Sequence, residues 1–298
     1  MRVNIGIVGA PVDLGADRRG VDMGASAIRY AGLEAALRAA GHTVRDFGNV
    51  PVEIAESTES GGHALKYLGP IVGMADRLAD CVSDILVSEC LPLILGGDHS
   101  VSLGSVAGVA RHKRIGIIWM DAHGDYNTGD TSPSGNIHGM VLSALAGHGH
   151  PKLVNIGGIS PKVDPRNVVL VGVRELDDGE RSLLRATGAH VLSMNSVDRR
   201  GMARAMEEAI ERAGAGADGI HLSLDLDVVD PFQAPGVGTP VYGGLTYRET
   251  HFAMELVAES QRLLSMDVVE VNPVLDNHNE TARLAMEFIL SALGKRII

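Results

Sequence analysis

The chain has 298 residues and a formal net charge of -11, with 45% hydrophobic but only 3% aromatic residues, so it can bury a sizeable core of Val, Ile, Leu, Ala and Met. No basic block follows a phosphate backbone, no run of about 18 apolar residues occurs, and the start, MRVNIGIVGAPVDLG, breaks at Gly9 and Pro11. Nucleic acid, membrane and export are therefore disfavoured, and a cytoplasmic location is expected. Cys81 and Cys90 lack a CxxC spacing and read as two buried, reduced thiols in a helical stretch.

In chain order, β-branched runs alternate with helical patterns. A strand is predicted at residues 3–8 and a helix at 25–40, then a strand at 43–47 and a helix at 67–88. Strands at 91–95 and 115–120 are followed by helices at 100–110 and 139–146. Strands at 168–173 and 190–193 alternate with helices at 178–187 and 201–213. The pattern ends with strands at 219–226 and 263–271 and helices at 246–260 and 281–293. Segments 11–24, 128–136, 147–164 and 231–244 are loops inside one domain spanning 1–298. Several strands are nearly all apolar, as a sheet covered on both faces requires. The expected architecture is an α/β fold, a three-layer α/β/α sandwich around a mainly parallel sheet of about eight strands.

In such sheets the ligand site lies beyond the carboxyl ends of the strands. Three predicted strand ends carry ligand-type residues: Gly96-Gly97-Asp98-His99, Asp121-Ala122-His123-Gly124-Asp125 and Asp225-Leu226-Asp227. In extended chain, a spacing of two points Asp121, His123 and Asp125 to one side, and Asp225 and Asp227 likewise. Carboxylates buried together are prohibitively costly without cations. Oxygen-rich ligation with two imidazoles and no Cys suits two divalent cations and leans to Mn over Zn. Glu270 lies near the end of an otherwise apolar strand, where an unpaired carboxylate needs a partner.

GGDHS, DAHGD, SLDLDVVDP and MDVVEVNP, with GADRRGVDMG and GTPVYGGLTYRE, resemble segments of the ureohydrolase family, which includes arginase and agmatinase. The resemblance spans nearly the whole chain. It implies two Mn2+ per subunit held by His99, Asp121, His123, Asp125, Asp225 and Asp227, with Asp121 and Asp225 bridging. It also implies a bridging hydroxide that attacks a guanidinium carbon and donates a hydrogen bond to Asp125. Glu270 would pair with that guanidinium and His138 would shuttle protons.

The loop after DAHGD is similar to one that binds an amino-acid head group, which places Asn127, Ser132 and Ser134 on the α-carboxylate and Asn136 on it through water. Asp177 would meet the α-amino group, and Thr239 would sit near substrate and the active-site water. Glu175 stands where the family often has Asp. The implied reaction turns L-arginine and water into L-ornithine and urea, in a homo-oligomer, hexamer or trimer. The alternatives are another ureohydrolase, acting on agmatine or a guanidino acid, and a non-catalytic metal-binding protein of the same fold. Residues 6–10 lack GxGxxG or a Walker lysine, so nucleotide binding is weakly supported. Glu207, Glu208 and Arg212 read as a solvated helix face, and His63, His112, His148 and His150 as surface residues.

Overall fold

A run such as Ile115–Met120 is apolar at every position and offers no face to water, so it needs cover on both sides. The computed structural model, which describes residues 2–295, puts this run in the middle of a sheet. The strands are β1 (Asn4–Gly9), β2 (Thr43–Asn49), β3 (Leu91–Leu95), β4 (Ile115–Met120), β5 (Val168–Val171), β6 (His190–Leu192), β7 (Gly219–Asp225) and β8 (Leu263–Val269). All pair in parallel, in the order β2-β1-β3-β8-β7-β4-β5-β6. Helices Gly24–Tyr30, Leu33–Ala39, Met202–Ala213, Tyr247–Ser260 and Glu280–Ala292 bury their apolar sides on one face. Leu68–Val87, Ser102–Ala110, Val141–Leu145 and Asp178–Thr187 cover the other. The result is the expected three-layer sandwich.

Register is what positions the site. Met120 pairs with Leu224, Asp225 with Val269, and Leu95 with Val268. The carboxyl ends of β3, β8, β7 and β4 therefore finish level, and the residues just past them share one rim.

The structure departs from the sequence expectations in several places. The helix expected over 25–40 splits at Gly32, whose φ of 93° is left-handed. The helices expected at 100–110 and 139–146 begin as 3-10 turns, His99–Val101 and Ile137–Met140. Short helices at Pro151–Val154 and Met194–Arg200 occupy segments read as connections. Cys81 and Cys90 are half-buried rather than buried, and Cys90 lies past the helix, just before β3. His150 caps the helix Pro151–Val154 by accepting from the Lys152 amide at 3.2 Å, and His148 is half-buried.

Two stability predictions arise here. A Cβ on Gly116 of β4 would stand 1.8 Å from the Ala213 carbonyl oxygen, where the helix Met202–Ala213 ends against the sheet. Gly116→Ala is expected to cost about 1–3 kcal/mol by overpacking, read as a lower midpoint in guanidinium denaturation. A midpoint within error of wild type would show that the helix end moves freely.

The Lys162 ammonium is buried among the Val154 and Ile159 carbonyls, and burial lowers its pKa to about 8. Below pH 8 both folded and unfolded chains hold this proton and the cost of the buried charge is fully present. Between pH 8 and the ordinary value of 10.5 the folded chain sheds it first, so stability rises with pH across that window. Relative to Lys162→Met, wild type should gain about 3 kcal/mol between pH 7 and 10.5. A flat difference would show the ammonium to be solvated.

Candidate metal centre

The ligand-type residues converge through turns rather than through the strand pleat. β4 ends at Met120, so Asp121, His123 and Asp125 all lie beyond it. Asp121 accepts the His123 amide at 2.7 Å, which folds the chain back on itself, and Asp125 adopts a left-handed φ of 49°. Asp225 is the last residue of β7, and Asp227 sits in a 3-10 turn whose amide Asp225 accepts at 2.8 Å. Asp227 in turn accepts the Ala122 amide at 3.1 Å, tying the two turns together. The extended-chain reading of these pairs is therefore corrected: they share a side because Asp121 and Asp225 each cap the turn that follows them, and Asp227 ties the two turns together.

His99 Nδ1 lies 3.1 Å from Asp121, 3.0 Å from Asp125 and 3.1 Å from Asp225 oxygens, all of these side chains being buried. His123 Nδ1 lies 3.3 Å from Asp121 and 3.0 Å from Asp227. Two groups with metal-ligand spacing result, His99-Asp121-Asp225 and Asp121-His123-Asp227, and Asp121 belongs to both. His99 Nδ1, though buried and ringed by carboxylates, has no hydrogen-bond partner among the described residues. A lone pair and several anionic oxygens aimed at one point suit a shared cation. The donor set fits divalent metal.

The electrostatics agree. Burial opposes the charging of His99, but its contacts with Asp121, Asp125 and Asp225 outweigh this and push its pKa well above the usual range. Burial, then repulsion from Asp227 and Asp121, pushes Asp225 well above the carboxylate range, and burial with Asp121 raises Asp125 to about 6. Without cations the cluster would hold protons instead, and divalent metal neutralises the same excess of negative charge.

Glu270 sits one residue past β8 in a left-handed turn, φ 63°, not within the strand as the apolar run suggested. Its Oε1 accepts the His99 amide at 3.0 Å and faces His138 Nδ1 at 3.2 Å, while Oε2 is buried with no hydrogen-bond partner among the described residues. Burial works against a charged His138, but Glu270 outweighs it and raises the pKa to about 9.

A cleft of about 160 Å³ opens over the cluster, a size for a small metabolite rather than a large cofactor. His123, Asp125 and Asp225 line it, together with His138 and Thr239, whose hydroxyl donates to Asp227 at 3.2 Å. Asn127, Ser132, Ser134 and Asp177 also line it, and the Asn127 amide donates to Asp177 at 2.9 Å. Asn136 turns away: it is buried with its side chain against Asp17.

Sequence reading passed over Glu180. It lines the cleft, accepts the Tyr126 amide at 2.7 Å and the Asp177 amide at 3.2 Å, and is raised to about 7 chiefly by burial. Its position three residues after Asp177, as a helix-capping pair, was the available signal. Glu175 also lines the cleft, 4.0 Å from His123 Nε2.

Fold and cluster together define a class of protein: a parallel α/β/α sheet that carries a carboxylate- and imidazole-rich metal centre at its carboxyl rim. The arginase family model matches residues 3–294, and the chain belongs to the arginase family. It is 53% identical to the arginase of Brevibacillus brevis, with all of both chains covered. The native structure of Bacillus caldovelox arginase superposes with a TM-score of 0.96 at 51% identity, covering 99% of this chain and 100% of that one. A hypothetical agmatinase from Burkholderia thailandensis is more distant, with a TM-score of 0.74 at 28% identity, covering 98% and 85%.

Proposed function

We propose that this protein is an arginase that hydrolyses L-arginine to L-ornithine and urea, with two Mn2+ per subunit held by His99, Asp121, His123, Asp125, Asp225 and Asp227. The observation that carries the reading is Glu270 Oε2, a buried carboxylate oxygen beside the metal-ligand cluster with no hydrogen-bond partner among the described residues. Such an oxygen calls for a cation, and a planar guanidinium meets a carboxylate side-on. Two bound divalent cations would lower the pKa of a water between them and so supply a nucleophile at neutral pH.

The chain's own residues do the rest. Glu270, fixed by the His99 amide, orients the guanidinium carbon over the cluster. His138, held by the same carboxylate, passes a proton to the leaving amine. Asn127, Ser132 and Ser134 bind the α-carboxylate as neutral donors, while Asn136, turned toward Asp17, takes no part. Asp177, with Glu180 behind it, takes the α-amino group, and Thr239 braces Asp227. Agmatine lacks the carboxylate that three of these residues would meet, and the greater similarity to arginases favours arginine over agmatine.

The test is urea release from L-arginine and from agmatine by Mn2+-loaded protein against a metal-stripped control. Metal-dependent urea from L-arginine is expected. A preference for agmatine would sink the head-group assignment, and no urea from either with metal bound would leave a binding protein.

The same reading takes residues 1–298 as one domain acting in the cytoplasm as a homo-oligomer, hexamer or trimer. Two unpaired cysteines support a reducing compartment. The exposed Phe232 and Tyr242 rings, 5.5 Å apart, support a covered surface patch. Light scattering checks the assembly. No helix among the described residues is long and apolar enough to cross a membrane.

A further inference from the structure

β7 and β8 are covered on both faces, yet one face of each carries polar residues at every second position. These are His221, Ser223 and Asp225 on β7, and Ser265 and Asp267 on β8. The strands pair His221 with Ser265 and Ser223 with Asp267, so the polar positions fall side by side under the metal centre. Asp267 is fully buried. Its Oδ1 accepts the Ser223 hydroxyl at 2.5 Å. Its Oδ2 takes Ser102 at 2.8 Å, Ser105 at 2.5 Å and His221 Nε2 at 3.1 Å. Ser102 and Ser105 come from the helix packed over this face.

Hydrogen-bond accounting then fixes the next contact. A hydroxyl has one proton to give. Ser223 gives its proton to Asp267, so it can only accept from His99 Nε2, 2.8 Å away. Nε2 must then carry the hydrogen, which leaves Nδ1 as the bare lone pair facing Asp121, Asp125 and Asp225. Trp119, stacked on the His99 ring at 4.0 Å and 6°, keeps the ring in that plane. Among the described residues His123 has no such buried relay: its far nitrogen faces the exposed Glu175 at 4.0 Å.

We propose that Asp267 is a positioning residue that acts through Ser223 to set the tautomer of His99 and so its ability to bind metal through Nδ1. The inference rests on reading the cluster as a metal centre. Outer partners of metal-bound histidines act this way, and their loss typically costs about 10–100-fold in metal affinity.

The experiment titrates Mn2+ into full-length, metal-stripped wild type, Ser223→Ala, Ser223→Thr and Asp267→Asn, with free Mn2+ read by electron paramagnetic resonance. The His99 nitrogen that keeps its proton is read in parallel from long-range 1H–15N spectra of the proteins loaded with diamagnetic Cd2+. Wild type should bind two ions and show His99 protonated on Nε2. Ser223→Ala should weaken one ion about 10–100-fold and leave the other unchanged, with a mixed His99 tautomer. Ser223→Thr, which keeps the hydroxyl, should restore both readouts, and Asp267→Asn should repeat the Ser223→Ala defect. Two Mn2+ bound as tightly by Ser223→Ala as by wild type would overturn the relay alone. So would wild-type His99 protonated on Nδ1, a readout that needs no variant to fold. Wild type that takes up no Mn2+ would overturn the metal reading and the relay together.

Discussion

Asp121→Asn should lose metal-dependent urea release by about a thousandfold or more, because Asp121 is the one carboxylate common to both metal-ligand groups. The substitution keeps shape but removes charge and half of the accepting capacity. Asp121 Oδ1 accepts the His123 amide at 2.7 Å and Oδ2 the Trp119 indole N–H at 3.0 Å. An asparagine satisfies one of these donors and turns its NH2 against the other, so the turn that carries His123 is disturbed as well. The magnitude follows from the nucleophile: two cations bring the pKa of water from 15.7 down to about 7, and forfeiting about three of those units costs about a thousandfold at neutral pH. Metal content and urea release measured on the same sample decide it. Two Mn2+ per chain with near wild-type turnover would show that Asp121 is not shared between the ions.

Glu270→Gln should lower kcat/KM for L-arginine by about two to three and a half orders of magnitude, from the about 3–5 kcal/mol that breaking a buried ion pair costs. The native carboxylate is positioned from behind by the His99 amide and His138, which leaves Oε2 free to meet a cationic substrate. Glutamine can keep the His99 bond through its carbonyl, so Mn2+ affinity should change little while substrate pairing is lost. That split separates the proposed role from a structural one. A parallel loss of metal would mean that Glu270 serves the centre itself, and unchanged kcat/KM would remove it from substrate binding.

The alternation of strands and helices, the parallel sheet and the rim bearing the chemistry were legible because hydrophobic period and strand-end position are local properties. β3, β4 and the helix Asp178–Thr187 stand where the pattern predicted them. The ligand-type residues of the metal cluster were legible too, as polar residues directly after apolar runs. Their convergence has another cause than strand pleating: Asp121, His123 and Asp125 meet in a capped turn, not on a pleat. Glu270 was noticed as an expensive carboxylate, but its left-handed backbone was invisible in a run that reads as strand to Val271. Glu180 was passed over because a capping glutamate and a cleft-lining one look alike in a string of residues.

By itself the sequence determined the class of fold, the side of the sheet that bears the site, and a donor set whose charge demands divalent cations. Each of these is read from short local patterns, one strand end or one apolar run at a time. Only the tertiary structure decided which polar positions meet. His99 and Glu270 join across 171 residues, and Ser223 reaches Asp267 because the registers of β7 and β8 bring them level. Register and packing between distant segments are set by the whole core, so the buried partner of Ser223 and the free oxygen of Glu270 appear only once the sheet is assembled.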